Sequence, residues 1–261
     1  MEMSLKNKVA LITGGNSGIG LGIATGLAQA GCDLVIWGSN AAKNDVARTA
    51  LAAHGTRVLV QTVNVVDEAQ VEAGFSAALT HMGRIDACFA NAGVGQKKSP
   101  FHALSAAEWR RVQSVNLDGA FFTLRAATRH MVGRSKSGSG IAFSGGRLVL
   151  MASTATIHGA QRSAAYAASK GALMAMTRAL AVEYARYGIT ANAIQPGWIE
   201  SEMTRAALND DRFAAAVLPR VPARRWGTGA DFAGIACYLV SDASAYHTGD
   251  SFVIDGGYTI Y

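Results

Sequence analysis

The sequence predicts a doubly wound α/β domain, a parallel sheet of about seven strands with helices on both faces. Three observations favour it: short β-rich runs alternate with longer helical patterns, glycine far outnumbers proline, and 50% of the 261 residues are hydrophobic while 16% are charged. Parallel neighbours need crossover connections, and the alternation supplies a helix after each strand. A single Rossmann-like domain spanning residues 1–261 follows.

Each predicted strand is a short apolar run, and the runs lie at 9–13, 34–37, 58–63, 85–90, 147–152, 190–195 and 251–254. Segments rich in alanine and leucine, with a helical period, lie between them at about 18–30, 41–53, 67–81, 105–131, 164–187 and 230–240. The longest of these helices begins with a capping box, Ser105-Ala-Ala-Glu108.

A long connection, residues 198–229, separates the sixth strand from the last predicted helix. It holds Trp198, Met203 and Phe213 among charged residues, and two prolines limit any helix there. A segment of this length at the carboxyl edge of a sheet is either a substrate lid or a packing excursion. The sequence leaves both interpretations open, and we take a lid as the working hypothesis.

Composition and charge narrow the class of protein. The 24 Lys and Arg against 18 Asp and Glu give a net charge of +6, which favours an anionic ligand, but no basic run indicates nucleic acid. No stretch approaches the roughly 20 apolar residues of a membrane span, and the first residues lack the apolar core of a signal peptide. Cys32, Cys88 and Cys237 lie far apart in apolar runs, which predicts reduced core thiols in a cytoplasmic protein.

The first strand runs directly into a glycine-rich turn and then a helix. The residues of this turn that point to a ligand are Gly14, Asn16, Ser17, Gly18, Ile19 and Gly20. Glycines let the backbone approach a pyrophosphate, and the N–H groups of the next helix attract it. No lysine follows Gly20, so the turn is not a phosphate-hydrolysing P-loop. Gly22 and Gly26 lie one helical turn apart, and close packing of the helix on the sheet explains them.

A tyrosine and a lysine, Tyr166 and Lys170, lie four residues apart in a helical segment and therefore on one face. Alone, such a pair is common on protein surfaces. A free phenol titrates near pH ~10, and a nearby cation stabilises its phenolate form, so Lys170 is able to tune Tyr166 as a proton donor or acceptor. Ser153 ends the fifth predicted strand, where its hydroxyl is able to hold a reacting oxygen.

These residues resemble the short-chain dehydrogenase/reductase family, in the correct order and over essentially the whole chain. Asn91-Ala92-Gly93 is similar to the motif after strand four, and Asn116, Ser153, Tyr166 and Lys170 match the catalytic tetrad. Pro196-Gly197 and Asp255-Gly256-Gly257 match later landmarks. The resemblance implies reversible hydride transfer between a nicotinamide cofactor and a ketone or secondary alcohol, with no metal.

The resemblance also implies a role for each site residue. Tyr166 exchanges a proton with the substrate oxygen, Ser153 orients that oxygen, and Lys170 lowers the tyrosine pKa and binds the nicotinamide ribose. Asn116 maintains a water relay to solvent. Cofactor contacts are expected from the glycine turn, Tyr166 and Lys170, and further from Ser39, Asn40, Asn64, Val65, Asn91, Ala92, Gly93, Pro196, Gly197, Ile199 and Ser201.

The turn after strand two, Gly38-Ser39-Asn40, predicts the cofactor. It lacks the acidic residue common in NAD-preferring members and the arginine frequent in NADP-preferring ones. Gly38 brings no negative charge against a 2′-phosphate, Ser39 and Asn40 can donate hydrogen bonds, and Lys43 supplies a positive charge if it points inward. We expect NADP(H) to be favoured modestly over NAD(H).

Several alternatives stay open at this stage. A catalytically silent nucleotide-binding regulatory protein is the second hypothesis, followed by an extended epimerase or dehydratase and by a methyltransferase. Candidate substrates include 3-oxoacyl thioesters, small cyclic or aliphatic alcohols, sugars and steroids. His158, Gln161 and Trp198 lie near the expected substrate mouth, where loop packing explains them. Small residues on the outer turns of 105–131 and 164–187 predict a homotetramer, as in many members of the family.

Overall fold

The structure, a computed structural model, describes residues 4–136 and 145–261. Seven strands form one sheet: β1 (Val9–Thr13), β2 (Asp33–Gly38), β3 (Val58–Thr62), β4 (Ala87–Ala90), β5 (Gly146–Met151), β6 (Ile189–Pro196) and β7 (Ser251–Ile254). Their order is β3-β2-β1-β4-β5-β6-β7, and every neighbouring pair is parallel. The predicted doubly wound fold is confirmed, with strand bounds correct to within a residue or two.

Helices cover both faces of the sheet. They are α1 (Gly18–Gln29), α2 (Ala41–Ala52), α3 (Glu68–Met82), α4 (Ala106–Gln113), α5 (Gly119–Lys136), α6 (Ala164–Tyr184), α7 (Arg205–Leu208), α8 (Asp211–Val217) and α9 (Ala233–Val240). Ile23, Leu27 and Leu239 bury one face of the sheet beneath α1 and α9, whereas Phe75 and Leu173 bury the other beneath α3 and α6. Among the described residues, no helix is long and apolar enough to span a bilayer.

The predicted helix over 105–131 is wrong as a single element. A π-helical turn, Ser114–Asp118, separates α4 from α5 and contains the buried Asn116. The capping box forms only in part: Ser105 Oγ accepts the Glu108 N–H at 3.1 Å, but the Glu108 carboxylate accepts the Lys97 N–H at 2.7 Å. The Glu108 carboxylate therefore binds the backbone of the loop after β4 instead of the Ser105 N–H that a complete capping box would use.

The two glycines inside α1 face a different element from the one predicted. A Cβ at Gly22 would lie 2.0 Å from the Gly229 carbonyl oxygen, and one at Gly26 would lie 2.4 Å from Ala233 Cβ. Their absent side chains therefore let α1 approach the 3₁₀ turn and the start of α9, rather than the sheet.

The sheet positions a site at its carboxyl edge. The chain crosses from β3 at one edge back to β4 beside β1, so the connections after β1 and β4 diverge and leave a crevice between them. The segment 198–229 lies beyond β6 at the same edge and contains α7 and α8. Its aromatic residues Trp198, Phe213 and Trp226 pack with Tyr258 in a small separate cluster.

Candidate active site

The glycine turn after β1 forms the floor of the crevice. Gly14 has a φ of +63°, which favours glycine, and a Cβ at Gly20 would lie 2.3 Å from the Gly14 carbonyl oxygen. Thr13 Oγ1 accepts the N–H groups of Asn91 and Ala92 at 3.0 and 2.9 Å, and Asn91 Nδ2 donates to Thr13 O at 2.8 Å. These contacts fix the turn to the end of β4.

A cleft of about 430 Å³ opens above this floor. Each residue that the sequence assigned to cofactor binding lines it: Gly14, Asn16, Ser17, Gly18, Ile19, Gly20, Ser39, Asn40, Asn64, Val65, Asn91, Ala92, Gly93, Tyr166, Lys170, Pro196, Gly197, Ile199 and Ser201. The lining also includes residues that no sequence motif indicated, among them Val94, Val115, Met151 and Glu202, and it includes Met203 of the predicted lid.

The residues present fit a nicotinamide dinucleotide. The cleft extends from Ser39 and Asn40 after β2, past the glycine turn, to Tyr166 and Lys170 in α6. The close approach of Gly20 to Gly14 leaves no room for a side chain, and the turn lines the cleft at the start of α1, where a helix N-terminus favours a pyrophosphate. An elongated ligand with a nucleoside at each end matches this arrangement.

Tyr166, Lys170 and Ser153 meet at one end of the cleft. Ser153 follows β5 and caps a 3₁₀ turn, its Oγ accepting the Ala155 N–H at 3.1 Å, and it lines the same cleft as Tyr166. Lys170 is buried, its Nζ donates to the Met151 carbonyl at 2.7 Å, and this Nζ lies 5.6 Å from the Tyr166 ring centroid. Helical spacing and the end of β5 thus bring the predicted residues together.

Burial dominates the electrostatics of this pair. Burial raises the pKa of Tyr166 above its ordinary value, while the hydrogen bond with Ser153 opposes that rise. Burial lowers the pKa of Lys170 to about 8. The net shift of the Tyr166 pKa is upward, because burial disfavours phenolate more strongly than Ser153 favours it. At pH 7 the site presents a neutral phenol beside an ammonium.

Asn116 does not line the cleft. Its Oδ1 accepts the Val94 N–H at 2.8 Å, and its Nδ2 donates to Val94 O and Ser169 Oγ, each at 3.1 Å. A Cβ at Gly93 would lie 3.3 Å from Asn116 Oδ1 and 3.4 Å from Lys170 Nζ, so both polar groups approach the same backbone position. Asn116 ties the loop after β4 to the π-helical turn beside Lys170.

At the other end of the cleft, the turn after β2 is tightly packed. A Cβ at Gly38 would lie 2.1 Å from Asn16 Nδ2 and 2.3 Å from Asn44 Oδ1. The buried Asn44 donates to the Gly38 carbonyl at 3.0 Å and accepts from Asn16 at 2.7 Å. The packing around Gly38 therefore leaves no space for a side chain, whatever the charge that side chain carries.

Lys43 lines the same end of the cleft, but it is paired. Its Nζ forms a salt bridge with Glu202, which follows β6 on the opposite wall, and this contact lowers the pKa of the Glu202 carboxyl. No local sequence pattern indicates this pair, because its members lie 159 residues apart.

Two of the three residues expected to pack in loops do so. The His158 ring lies edge-on to Tyr258 with centroids 5.3 Å apart, and Trp198 packs against Phe213 at 4.8 Å. Gln161 is exposed.

Comparison with known proteins places this site in a family. A family model described as Enoyl-(Acyl carrier protein) reductase matches residues 14–259. The chain belongs to the short-chain dehydrogenase/reductase family. It is 34% identical to gluconate 5-dehydrogenase of Gluconobacter oxydans, over 98% of this chain and 96% of that protein. It is 38% identical to levodione reductase of Leifsonia aquatica, over 96% and 94%.

A solved structure supports the same assignment. A gluconate 5-dehydrogenase from Burkholderia cenocepacia J2315, in complex with NADP and tartrate, superposes with a TM-score of 0.90 at 35% identity, covering 100% of this chain and 98% of that one. This short-chain dehydrogenase/reductase is an NAD(P)-dependent oxidoreductase that acts on the alcohol or ketone group of a small molecule.

Proposed function

We propose that this short-chain dehydrogenase/reductase carries out its reaction where Ser153, Tyr166 and Lys170 meet. The observation that supports this assignment most directly is that the three side chains line one cleft, with the buried Lys170 Nζ 5.6 Å from the Tyr166 ring centroid. A bound nicotinamide dinucleotide supplies the hydride for ketone reduction or accepts it in alcohol oxidation. The protein's own residues bind the reactants, orient them and move the proton.

Tyr166 is assigned the proton transfer. The phenol is protonated at neutral pH, so it has a proton to donate to a carbonyl oxygen, and burial, which raises its pKa, disfavours the phenolate that donation leaves. Ser153 hydrogen-bonds and orients the same oxygen, and Lys170 places a positive charge beside the phenolate that donation leaves. Asn116, fixed by Val94, is assigned the relay that restores the proton from solvent.

The cofactor is assigned along the cleft from one end to the other. The glycine turn, residues 14–20, faces the pyrophosphate, and Ser39, Asn40, Asn64 and Val65 face the adenosine. We assign the nicotinamide half to nine further residues that line the cleft: Asn91, Ala92, Gly93, Tyr166, Lys170, Pro196, Gly197, Ile199 and Ser201.

We infer a modest preference for NADP(H). Lys43 lies beside Ser39 and Asn40 and is able to face a 2′-phosphate, but Glu202 already pairs with it and so weakens the attraction. An aspartate at Gly38 would clash with Asn16, so Ser39 is the position at which to test the charge.

The preference is tested by the Kd values of NADP and NAD, measured by calorimetry. Ser39→Asp is expected to weaken NADP binding at least about tenfold and to leave NAD binding nearly unchanged, because like charges face each other. Glu202→Gln is expected to tighten NADP binding about two- to fivefold by releasing Lys43, whereas Glu200→Gln, in the same loop, is the control. A parental protein that binds NAD more tightly than NADP contradicts the preference.

We propose small hydroxy or keto carboxylates as the substrate class, under a lid formed by residues 198–229. Two of the relatives compared above act on gluconate, one of them bound tartrate in its solved structure, and this chain's charge of +6 favours anions. Ile199, Ser201 and Met203 of the segment line the cleft, and Met203 lies beside Gly95, so the segment is placed to cover a substrate.

A matched pair of ketones tests the substrate class. With NADPH, 4-oxocyclohexanecarboxylate is expected to give a higher kcat/KM than its uncharged methyl ester, measured by the loss of reduced-nicotinamide absorbance. Equal values, or a higher value for the ester, contradict the carboxylate assignment while leaving the oxidoreductase activity intact. Absence of turnover with a broad panel of ketones and alcohols contradicts the assigned catalytic site.

We also propose a cytoplasmic homotetramer. Cys32 and Cys88 are buried, and burial raises the pKa of Cys88 to about 12, so both thiols suit a reducing compartment. The outer faces of α5 and α6 are the proposed contact between copies.

A further inference from the structure

The helix that carries Tyr166 and Lys170 is not capped by its own residues. Ser163 occupies the N-cap position of α6 but makes no side-chain capping hydrogen bond. The first N–H groups of any helix lack partners within the helix and need another acceptor. Gln96, in the loop after β4, supplies one: its Oε1 accepts the Ala165 N–H at 2.8 Å, and its Nε2 donates to the Arg162 carbonyl at 3.0 Å.

A second glutamine holds the other side of the same residue. Gln113, the last residue of α4, donates from Nε2 to the Ala165 carbonyl at 2.8 Å. Ala165 is buried and immediately precedes Tyr166. Both backbone polar groups of Ala165 are therefore bound by side chains that lie far away in the sequence.

The loop that provides Gln96 is itself tied down. Val94 binds Asn116 through both its N–H and its carbonyl, and the Gly95 carbonyl accepts from Arg111 Nη2 at 2.7 Å. The Lys97 N–H donates to Glu108. Contacts from α4 and the π-helical turn thus fix this loop, and through Gln96 they fix the start of α6.

We propose that Gln96 and Gln113 are positioning residues that set the place of the Tyr166 hydroxyl relative to Ser153. The inference rests on the proposed role of Tyr166. Neither glutamine is among the residues that line the cleft, so both act through Ala165. A displacement of about 1 Å at a reacting group is enough to lower a rate by roughly 10²-fold, so a small shift of the helix start has a large effect.

Substitutions at Gln96 separate positioning from general stability. Gln96→Met keeps the length of the side chain but removes both hydrogen bonds, and it is expected to lower kcat about tenfold or more with little change in the Kd of NADPH. Gln96→Glu retains an acceptor for the Ala165 N–H, so its kcat is expected to lie between those of the parent and Gln96→Met. Lys98→Met, an exposed change in the same loop, is the control and is expected to keep the parental kcat.

Gln113→Met tests the second contact. It removes only the donation to the Ala165 carbonyl, so a fall in kcat without a change in NADPH affinity is again expected. If both glutamines hold the backbone of one residue, Ala165, the double variant is expected to lose less than the product of the single losses. Losses that multiply independently contradict a shared clamp.

A titration that needs no turnover provides the second measurement. The ultraviolet difference between each protein and its Tyr166→Phe counterpart isolates the ionisation of Tyr166. Loosening the start of α6 admits water, so Gln96→Met is expected to move the Tyr166 pKa towards the ordinary tyrosine value. An unchanged Tyr166 titration, or a loss of kcat that matches a loss of folded protein counted by NADPH binding, overturns the proposal.

Different results would show that the catalytic role of Tyr166 is wrong and that the positioning role of Gln96 is wrong. If Tyr166→Phe keeps the parental rate, the proposed function of the site is wrong. If Tyr166→Phe is inactive but Gln96→Met keeps the parental kcat and the parental Tyr166 titration, only the positioning proposal is wrong.

Discussion

At the scale of residues, burial controls the two groups that do the proposed chemistry. It disfavours the charged form of each, so it raises the pKa of Tyr166 and lowers that of Lys170. The phenol is therefore protonated at neutral pH, and the positive charge of Lys170 is able to offset the cost of the phenolate that donation leaves. The same burial means that protonated Lys170 lowers the free energy of unfolding, by an amount that depends on pH.

Lys170 is expected to make stability rise with pH in an identifiable window. Its pKa is about 8 in the folded protein and 10.5 ordinarily. Between these two pH values the unfolded chain binds more protons than the folded protein, so the free energy of unfolding increases as the pH rises. The difference between the two pKa values corresponds to an increase of about 3 kcal/mol in the free energy of unfolding. Urea unfolding of the parent and of Lys170→Met is the measurement, and the difference in free energy is expected to shift in favour of the parent from pH 8 to 10.5.

The matched control for this titration is Lys98→Met, whose side chain is exposed. Its difference from the parent is expected to stay flat over the same window. A flat difference for Lys170→Met as well contradicts a buried ammonium.

The sequence reveals some of these residues and hides others for a physical reason. Tyr166 and Lys170 are visible because a helix places positions four apart on one face. Lys43 with Glu202, and Gln96 with Ala165, are separated by 159 and 69 residues, so only the folded chain brings them together. Their roles depend on contacts that no local pattern encodes.

At the scale of elements, α1 links the glycine turn to the far side of the cleft. Gly22 and Gly26 allow α1 to lie against the 3₁₀ turn at 229–232 and the start of α9. The 3₁₀ turn that begins at Gly229 lies at the end of the segment 198–229, within which Ile199 and Gly227 form an isolated parallel β-bridge. The approach of α1 therefore helps to place one end of the proposed lid.

Two glycine substitutions test this approach. Gly22→Ala puts a Cβ 2.0 Å from the Gly229 carbonyl oxygen and is expected to destabilise the protein by about 1–3 kcal/mol through overpacking. Gly234→Ala, in the exposed part of α9, meets no atom within 4 Å and is expected to stabilise it by about 0.4–1 kcal/mol. Thermal unfolding measures both, and equal effects of the two changes count against the contact.

The elements themselves are largely predictable. Hydrophobic period and glycine turns locate the strands and long helices, because these patterns reflect burial on the sheet. The π-helical turn at Ser114–Asp118 is not predictable in this way, since its apolar period differs little from that of a continuous helix. The short α7 and α8 within 198–229 lack a full amphipathic period, so the sequence predicts only a long connection.

At the scale of the whole molecule, the outer face of α5 and α6 bears apolar side chains. Phe121 is 43% exposed and Val182 is 84% exposed, and a groove between the helices is lined by residues that include Leu124, Met176 and Leu180. Exposed apolar surface of this kind favours association with a second copy.

Val182→Lys is expected to weaken this association. It places a charge on the exposed face of α6 within the proposed contact, where it would be desolvated, so light scattering at micromolar concentration is expected to show a smaller species than the parent. Val46→Lys is the control, because Val46 is 69% exposed on α2, away from α5 and α6. A parent that is monomeric, or a Val182→Lys protein that keeps the parental mass, contradicts the proposed interface.

The most direct test of the account is the rate of ketone reduction by Tyr166→Phe, followed through reduced-nicotinamide absorbance. The change keeps the ring and removes the proton, so kcat is expected to fall at least about 10²-fold, the scale of a general acid. NADPH affinity and folding are expected to survive, because the phenol oxygen contributes little to either. A Tyr166→Phe protein that reduces the same ketone at nearly the parental rate would contradict the assignment of proton transfer to Tyr166.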